Sequence, residues 1–314
     1  MFILILLSIR PLLIISTKKW VIIWLISELR LVSFIFLLNL EKKKQKNFIF
    51  FIFQTISSII IIIFVFFSKN LNFNREINFL IIIIIMSIII KIAIFPFHSW
   101  LVFIRKNISW LNLFTLLTWQ KIAPIVMMRK ICIKIRINFI LIISITAVRI
   151  LLLKINKIKN IIVCSSIAQN RWIFISIKFI KTISIVFIIV YSLILFSIIF
   201  TMKKNNSKFL LSNINSKNIN IDLIVATFSL AGIPPSINFF VKVLIINFMI
   251  KINLTSWLIF IILTITCVRF FIYFKITIKF LKIVKEINKK KFYLKRENKK
   301  FNLSRLILVI LIIT

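Results

Sequence analysis

The chain has 314 residues, of which 61% are hydrophobic, and its mean hydropathy of +1.10 excludes an ordinary soluble domain. Its 44 lysines and arginines stand against six acidic residues, which gives a formal net charge of +38. Nucleic-acid binding is not predicted, because the basic residues lie mostly in short loops between apolar runs and form no compact basic domain. Anionic lipids such as cardiolipin are the partners that basic loops of this kind suit.

Continuous apolar runs alternate with short polar segments along the whole chain. A helical run of about 20 residues crosses the ~30 Å hydrocarbon core, and lipid requires backbone groups to be satisfied within the segment. The pattern predicts an all-α, polytopic membrane bundle of about eleven transmembrane helices in one domain, residues 1–314. The approximate spans are residues 1–17, 21–40, 48–67, 77–95, 111–128, 131–153, 161–180, 182–201, 222–250, 254–281 and 303–314.

The basic residues are unequally divided between the two sides of this bundle. With alternating loops, one side receives roughly twice as many lysines and arginines as the other. Because basic loops stay on the cytoplasm-equivalent side, the N-terminus is predicted to lie there. Residues 1–17 lack a charged n-region and are predicted to be a retained span instead of a cleaved signal.

Glu28 lies inside the second apolar run, in the stretch WLISELRLVSF. Ionisable groups within a membrane are costly and are functional candidates by default. The structural alternative is a pair with Arg30, although residues two apart on a helix face different directions. Glu28 is therefore a candidate functional residue.

The fourth run carries Lys91 and ends in PFHSW. Pro96 has no N–H and disfavours helical geometry in the preceding residue, so a helix interruption is predicted here. A broken helix beside a buried charge is how transporters build ion sites, which favours a role for Lys91 over snorkelling to the interface. His98 is either a proton relay or a hydrogen-bonded interface residue beside Trp100.

Lys121 stands near the middle of the fifth run, LNLFTLLTWQKIAPIVMM, where a lysine cannot easily reach the interface. Pro124 removes the helical donor for the Gln120 carbonyl, which predicts a free acceptor and room for water beside the ammonium. Burial disfavours the charged form of a lysine, as a reversible proton carrier requires. One helix interruption is predicted near Pro124 or Pro96.

Several small polar side chains follow in VCSSIAQNRWIFIS, residues 163–176: Ser165, Ser166, Gln169 and Asn170. Hydrogen bonds between helices are the favoured interpretation. A water-lined path is the alternative.

Gly232 is the only glycine of the chain and stands with Pro234 and Pro235 inside a long apolar run. Two prolines must break a helix, and irregular backbone at membrane depth is tolerated only within protein or around a watery cavity. A second interruption is predicted at Gly232–Pro235. Lys242, in the same run, is a further candidate functional residue.

Cofactor motifs are lacking in the sequence. The three cysteines, Cys132, Cys164 and Cys267, are far apart, and there is one histidine. No C-x-x-C pair, P-loop or G-x-G-x-x-G occurs. Neither a haem, zinc or iron–sulfur site nor a nucleotide site is predicted.

Five of these stretches occur in the order found in a known family: WLISELRL, K-x-x-x-x-P-F-H-x-W, LLTWQKIAP, SSIAQNRW and SLAGIPPSINFFVK. Together they resemble the subunit 2 family of mitochondrial NADH:ubiquinone oxidoreductase (respiratory complex I), among its antiporter-like subunits. Departures from the family pattern are Phe95 for Ala, Gln169 and Arg171 for His and Gly, and Asn238 and Val241 for Gly and Pro.

The resemblance implies a proton-pumping subunit of the membrane arm. By position, Glu28 matches the carboxylate of the family's charged pair, and Lys91 matches the lysine paired with that carboxylate. Lys121 matches the central-axis lysine, and Lys242 matches the lysine of the second broken helix. It also implies that NADH, FMN, iron–sulfur clusters and ubiquinone bind other subunits and that this chain holds no redox cofactor. The implied location is the mitochondrial inner membrane, with the N-terminus on the matrix side and other membrane-arm subunits as partners.

The hypothesis that follows is charge coupling along the membrane. Quinone reduction elsewhere in the complex would change the Glu28–Lys91 pairing, which would bias protonation of Lys121 and then of Lys242. Two alternatives remain open: a structural membrane subunit whose buried charges move no proton, and a stand-alone cation/proton antiporter.

Overall fold

A computed structural model describes residues 13–14, 16–17, 19–39, 44–70, 74–94, 96–105, 108–131, 158–179, 181–204, 221–234 and 236–251, and isolated positions between 260 and 278. Every regular element in these residues is an α-helix, which confirms the all-α class. The predicted spans 1–17, 131–153, 254–281 and 303–314 lie wholly or mostly outside them. The total of about eleven helices therefore stays a prediction.

Ten helices have defined bounds in the part of the chain that the structure describes. They are α1 (Trp20–Asn39), α2 (Lys44–Asn70), α3 (Asn74–Ile92), α4 (Ser99–Ile104), α5 (Trp110–Leu117), α6 (Trp119–Ile131), α7 (Ile158–Phe179), α8 (Lys181–Lys204), α9 (Ile221–Ala231) and α10 (Ile237–Lys251). Within this part of the chain, four segments are long and apolar enough to cross a membrane: Trp20–Asn39, Phe48–Phe67, Trp110–Lys130 and Thr182–Lys203.

The chain divides into two compact units. The first unit comprises Met1–Ser144 and Ile162–Lys178, and therefore holds α1 to α6 and most of α7. In it, α2 packs against α1, α3 and α4, while α6 packs against α1, α3 and α5. Phe50 stands at the centre of an aromatic cluster, with its ring centroid 5.5 Å from those of Phe34 and Trp100.

The second unit comprises Ile145–Ile161 and Phe179–Thr314. Its described helices α8, α9 and α10 pack against one another. One face of α8 is exposed and apolar, as the lipid-facing side of a membrane helix would be, and includes Ile189, Leu193 and Phe200.

Two helix interruptions have the same backbone geometry, one in each unit. Helix α3 ends with Ala93 in the left-handed region at φ 61°, and α9 ends with Gly232 at φ 76°. In both, the left-handed residue and the one after it donate to carbonyls of the last helical turn, which is the Schellman arrangement. A proline follows each, at Pro96 and Pro234, and prevents the helix from continuing.

The fifth predicted span is also discontinuous, but its discontinuity is not at Pro124. Helix α5 ends before Thr118, α6 begins at Trp119, and Pro124 lies inside α6. The proline is tolerated because its lost hydrogen bond is replaced by a donor from another helix, described below. One interruption was predicted near either Pro124 or Pro96, and the structure places a break before Pro96 and none at Pro124.

Candidate functional site

Glu28 and Lys91 form an ion pair in the first unit. Lys91 Nζ lies 3.4 Å from Glu28 Oε1 and 3.5 Å from Ser27 Oγ. The Lys91 side chain is 4% exposed and that of Glu28 22% exposed. Lys91 occupies the last turn of α3, so its ammonium stands beside the end of an interrupted helix, where the helix dipole favours a cation.

Arg30 joins α1 to α6 through two hydrogen bonds. Its Nη1 donates to the Trp119 carbonyl at 2.9 Å, and its Nη2 donates to the Gln120 carbonyl at 2.8 Å. The Gln120 carbonyl would bond to the N–H of residue 124 in a regular helix, and Pro124 has none. The carbonyl predicted to be free is therefore an acceptor for Arg30, which is 3% exposed.

Lys121 is buried between α6 and α7. Its Nζ donates to Asn170 Oδ1 at 2.9 Å and to the Ser166 carbonyl at 3.4 Å. Every described side chain of α7 from Ile161 to Ile177 is buried, so these acceptors are shielded from solvent. The ammonium thus donates to two neutral oxygens of α7.

The end of α3 is satisfied by side chains from two other helices. Gln54 of α2 donates its Nε2 to the Lys91 carbonyl at 3.4 Å. Asn170 of α7 donates its Nδ2 to the Ile92 carbonyl at 3.1 Å. The interrupted helix is thereby held in place by α2 and α7, next to the Glu28–Lys91 pair.

A small cavity is lined by both Lys91 and Lys121. It is lined by Phe50, Gln54, Lys91, Ile92, Trp100, Leu101, Leu116, Gln120 and Lys121. Its volume of about 10 Å³ is close to what one water molecule needs. Among the described residues, the buried Gln120 Nε2 has no hydrogen-bond partner. The cavity thus offers water a polar place between Lys91 and Lys121.

Lys242 lies in α10 of the second unit, and its ammonium reaches back to the interruption between α9 and α10. Its Nζ donates to the Ala231 carbonyl at 3.1 Å, at the C-terminal end of α9, and it is 6% exposed. A Cβ at Gly232 would collide with this ammonium. Asn238, one of the departures from the family pattern, donates Nδ2 to the Ser229 carbonyl at 3.0 Å and so closes the same helix end.

His98 precedes α4 in the connection after Pro96. Its Nδ1 lies 3.2 Å from the Pro96 carbonyl, and the ring is partly exposed. Burial lowers the pKa of His98 from its ordinary value of 6.5, the bond to Pro96 raises it, and the charge of Arg105 lowers it further. Its role as a relay stays a prediction.

Three residues of the site were not singled out as such by the sequence: Arg30, Gln54 and Asn170. Arg30 was considered only as a partner for Glu28, and Asn170 only as one of several polar residues in α7. Each replaces a donor that a proline or a helix end removes. Each helix interruption leaves a carbonyl without its helical donor, so a buried polar side chain elsewhere in the chain is required to donate to it. That requirement is the signal by which the sequence could have pointed to such residues. In the described residues no group of three or more His, Cys, Asp or Glu could hold a metal.

Comparison with known proteins identifies relatives along most of the chain. The transmembrane family described as NADH:quinone oxidoreductase/Mrp antiporter matches residues 17–268. NADH-ubiquinone oxidoreductase chain 2 of Rhipicephalus sanguineus is 33% identical over 237 residues, which are 74% of each chain. The protein of the same name from Artemia franciscana is 25% identical over 233 residues, 73% of this chain and 74% of its own.

Solved structures share the fold. A chain of respiratory complex I from Thermus thermophilus superimposes with a TM-score of 0.75 at 14% identity, covering 88% of this chain and 69% of that one. A chain of the Mrp complex from Dietzia gives 0.74 at 12% identity, covering 87% and 59%. A chain of an archaeal membrane-bound sulfane sulfur reductase gives 0.76 at 16% identity, covering 99% and 71%.

Proposed function

Because the chain belongs to the NADH:quinone oxidoreductase/Mrp antiporter transmembrane family, we propose that it is the subunit 2 component of a respiratory complex I membrane arm and carries protons on Glu28, Lys91, Lys121 and Lys242. One observation carries the proposal: the ion-paired Lys91 and the neutral-bonded Lys121 line the same small, buried cavity. Buried lysines at membrane depth are costly, and a pair that shares space for water is what proton transfer requires.

The Glu28–Lys91 pair is the proposed control point. A carboxylate at 3.4 Å stabilises the ammonium of Lys91, and its withdrawal removes that stabilisation from a residue 4% exposed. A redox step elsewhere in the complex that moves Glu28 would thus favour release of the Lys91 proton. A water in the cavity would pass that proton to Lys121.

Lys242 is the proposed carrier of the second unit. Its ammonium lies at the C-terminal end of α9, where helix carbonyls stabilise a positive charge. Because the side chain is 6% exposed, burial opposes its charge while these carbonyls favour it, as a group that gains and loses a proton requires.

The rest of the complex supplies what this chain does not. NADH oxidation, ubiquinone reduction and the cofactors FMN and iron–sulfur clusters are assigned to other subunits, and the activity is that of the whole enzyme. Other membrane-arm subunits and anionic lipids such as cardiolipin are the proposed partners. The solved structures of similar fold are chains of multi-subunit complexes, which supports the first of these.

The mitochondrial inner membrane is the proposed location, with the N-terminus in the matrix. This orientation puts Lys203, at the exposed end of α8, on the matrix side. A membrane-impermeant maleimide should therefore label Lys203→Cys in inverted vesicles and not in intact mitoplasts. Labelling in mitoplasts alone would reverse the orientation.

The central test replaces Lys121 with Met, which removes the charge and keeps the length of the side chain. Purified complex in vesicles is compared with the wild type at equal assembly and equal electron flux, and the proton-to-electron ratio is measured. The ratio should fall, because the path through the cavity loses its carrier. Lys251→Met is the matched control, since Lys251 is exposed at the end of α10 and should leave the ratio unchanged.

An unchanged ratio in a fully assembled Lys121→Met complex would contradict the proposal. It would favour a structural subunit, in which the contacts of Arg30, Gln54 and Asn170 serve only to hold helices together. A chain that is purified active and alone, without complex I subunits, would instead favour a stand-alone antiporter.

A further inference from the structure

The Ile92 carbonyl is an acceptor that its own helix cannot satisfy. In a regular α-helix it would accept from the N–H of residue 96, which is Pro96 and has none. Ala93, the next residue, is in the left-handed region and turns the chain away from the helix axis. A donor must therefore come from another element, since a buried carbonyl without a partner is costly.

Asn170 supplies that donor and at the same time binds Lys121. Its Nδ2 lies 3.1 Å from the Ile92 carbonyl and its Oδ1 lies 2.9 Å from Lys121 Nζ. The carbonyl can only accept and the ammonium can only donate, so the two bonds fix the amide in one orientation. At 1% exposed, the side chain makes both bonds away from solvent.

We propose that Asn170 is a positioning residue that holds the Lys121 ammonium against the interrupted end of the helix that carries Lys91. The inference rests on the proposed function of the two lysines. One rigid amide joins the residue after Lys91 to Lys121, so a displacement of the α3 end moves the amide and with it the acceptor of the ammonium. The Glu28–Lys91 pair and Lys121 are thereby connected by protein as well as by the cavity.

Satisfying the helix end alone does not explain this arrangement. Gln54 satisfies the neighbouring Lys91 carbonyl, and Asn238 closes the end of α9 in the second unit, each through a side-chain amide nitrogen. Asn170 differs because its amide oxygen is committed to a lysine. A bond to an ionised group is about twice as strong as a neutral one, so Asn170 determines where the ammonium rests.

The test uses Asn170→Leu, which keeps a similar volume and removes both bonds, and Asn170→Ala, which removes them with less risk of overpacking. Each is measured in the assembled complex in vesicles, alone and combined with Lys121→Met, at equal electron flux. Ser176→Ala is the control, because Ser176 is buried in the same helix and bonds only to Ile173 of its own turn.

Each single variant should disfavour protonation of Lys121 by about tenfold, the factor expected for one lost hydrogen bond to a charged group, and should therefore lower the proton-to-electron ratio. In the Lys121→Met background neither should lower the proton-to-electron ratio further, because the residue acts through Lys121. The Ser176→Ala complex should pump as the wild type does.

Three outcomes would overturn the inference while leaving the proposed function in place. They are a normal ratio in Asn170→Leu when Lys121→Met has lowered it, an additive loss in the double variant, and failure of both Asn170 variants to assemble. The last would make the residue purely structural. An unchanged ratio in Lys121→Met itself would instead reject the proposed function, and the inference with it.

Discussion

Replacement of Arg30 by Met tests how the chain tolerates a proline inside a membrane helix. The guanidinium donates to the Trp119 and Gln120 carbonyls at 2.9 and 2.8 Å, and Pro124 deprives the Gln120 carbonyl of its helical donor. Methionine fills similar apolar space and offers no donor. The variant therefore leaves that buried carbonyl unsatisfied and removes these two hydrogen bonds between α1 and α6.

The magnitude follows from the unsatisfied carbonyl. Losing the partner of a buried polar group costs about 1–3 kcal/mol. Removing the buried guanidinium also removes its desolvation cost, which offsets its attraction to Glu28 and its bonds to the carbonyls. The net destabilisation expected for Arg30→Met is thus about 1–3 kcal/mol. It should appear as a lower midpoint of thermal unfolding of the purified complex.

A second substitution makes the test specific. Pro124→Ala restores an N–H in α6 that can donate to the Gln120 carbonyl, so it should recover most of the loss in the Arg30→Met background. In the wild-type background Pro124→Ala should raise the thermal midpoint less, because Arg30 already satisfies that carbonyl. Equal effects of Pro124→Ala in both backgrounds, within about 0.5 kcal/mol, would refute the reasoning.

Two further predictions concern the interruptions. Gly232→Ala should lower both the thermal midpoint and the proton-to-electron ratio, because the left-handed conformation costs a non-glycine residue about 1–2 kcal/mol and the new Cβ displaces the Lys242 ammonium. The matched change Ala93→Gly should stabilise slightly, since relief of the same cost of about 1–2 kcal/mol exceeds the loss of about 0.8 kcal/mol for the buried methyl. A large loss of stability in Ala93→Gly would contradict this explanation. For His98, whose pKa burial lowers, the folded state binds fewer protons than the unfolded state near pH 6.5, so stability falls as the pH falls through that value. The thermal midpoint of the wild type should therefore drop more than that of His98→Gln between pH ~7.5 and ~5.5, and equal drops would show that the imidazole is not responsible.

The sequence by itself determined the fold class and the candidates for the site. Long apolar runs allow only helices in lipid, and a single glycine followed by two prolines leaves the ninth span no continuous helix. The charged residues that stand inside those runs were visible because each is costly there. Glu28, Lys91, Lys121 and Lys242 were therefore identifiable as candidates before any contact was known.

Only the tertiary structure decided which groups meet. Local sequence predicted a free Gln120 carbonyl at Pro124, but a residue about 90 positions earlier in the chain, Arg30, occupies it. Asn170 could not be distinguished from its polar neighbours in α7, because its two bonds reach Lys121 and Ile92 in other helices. Proline and glycine affect the backbone of their own segment, so their effect can be predicted from the local sequence. The donor that replaces a lost hydrogen bond can come from anywhere in the fold, and only the packing of the helices determines which residue supplies it.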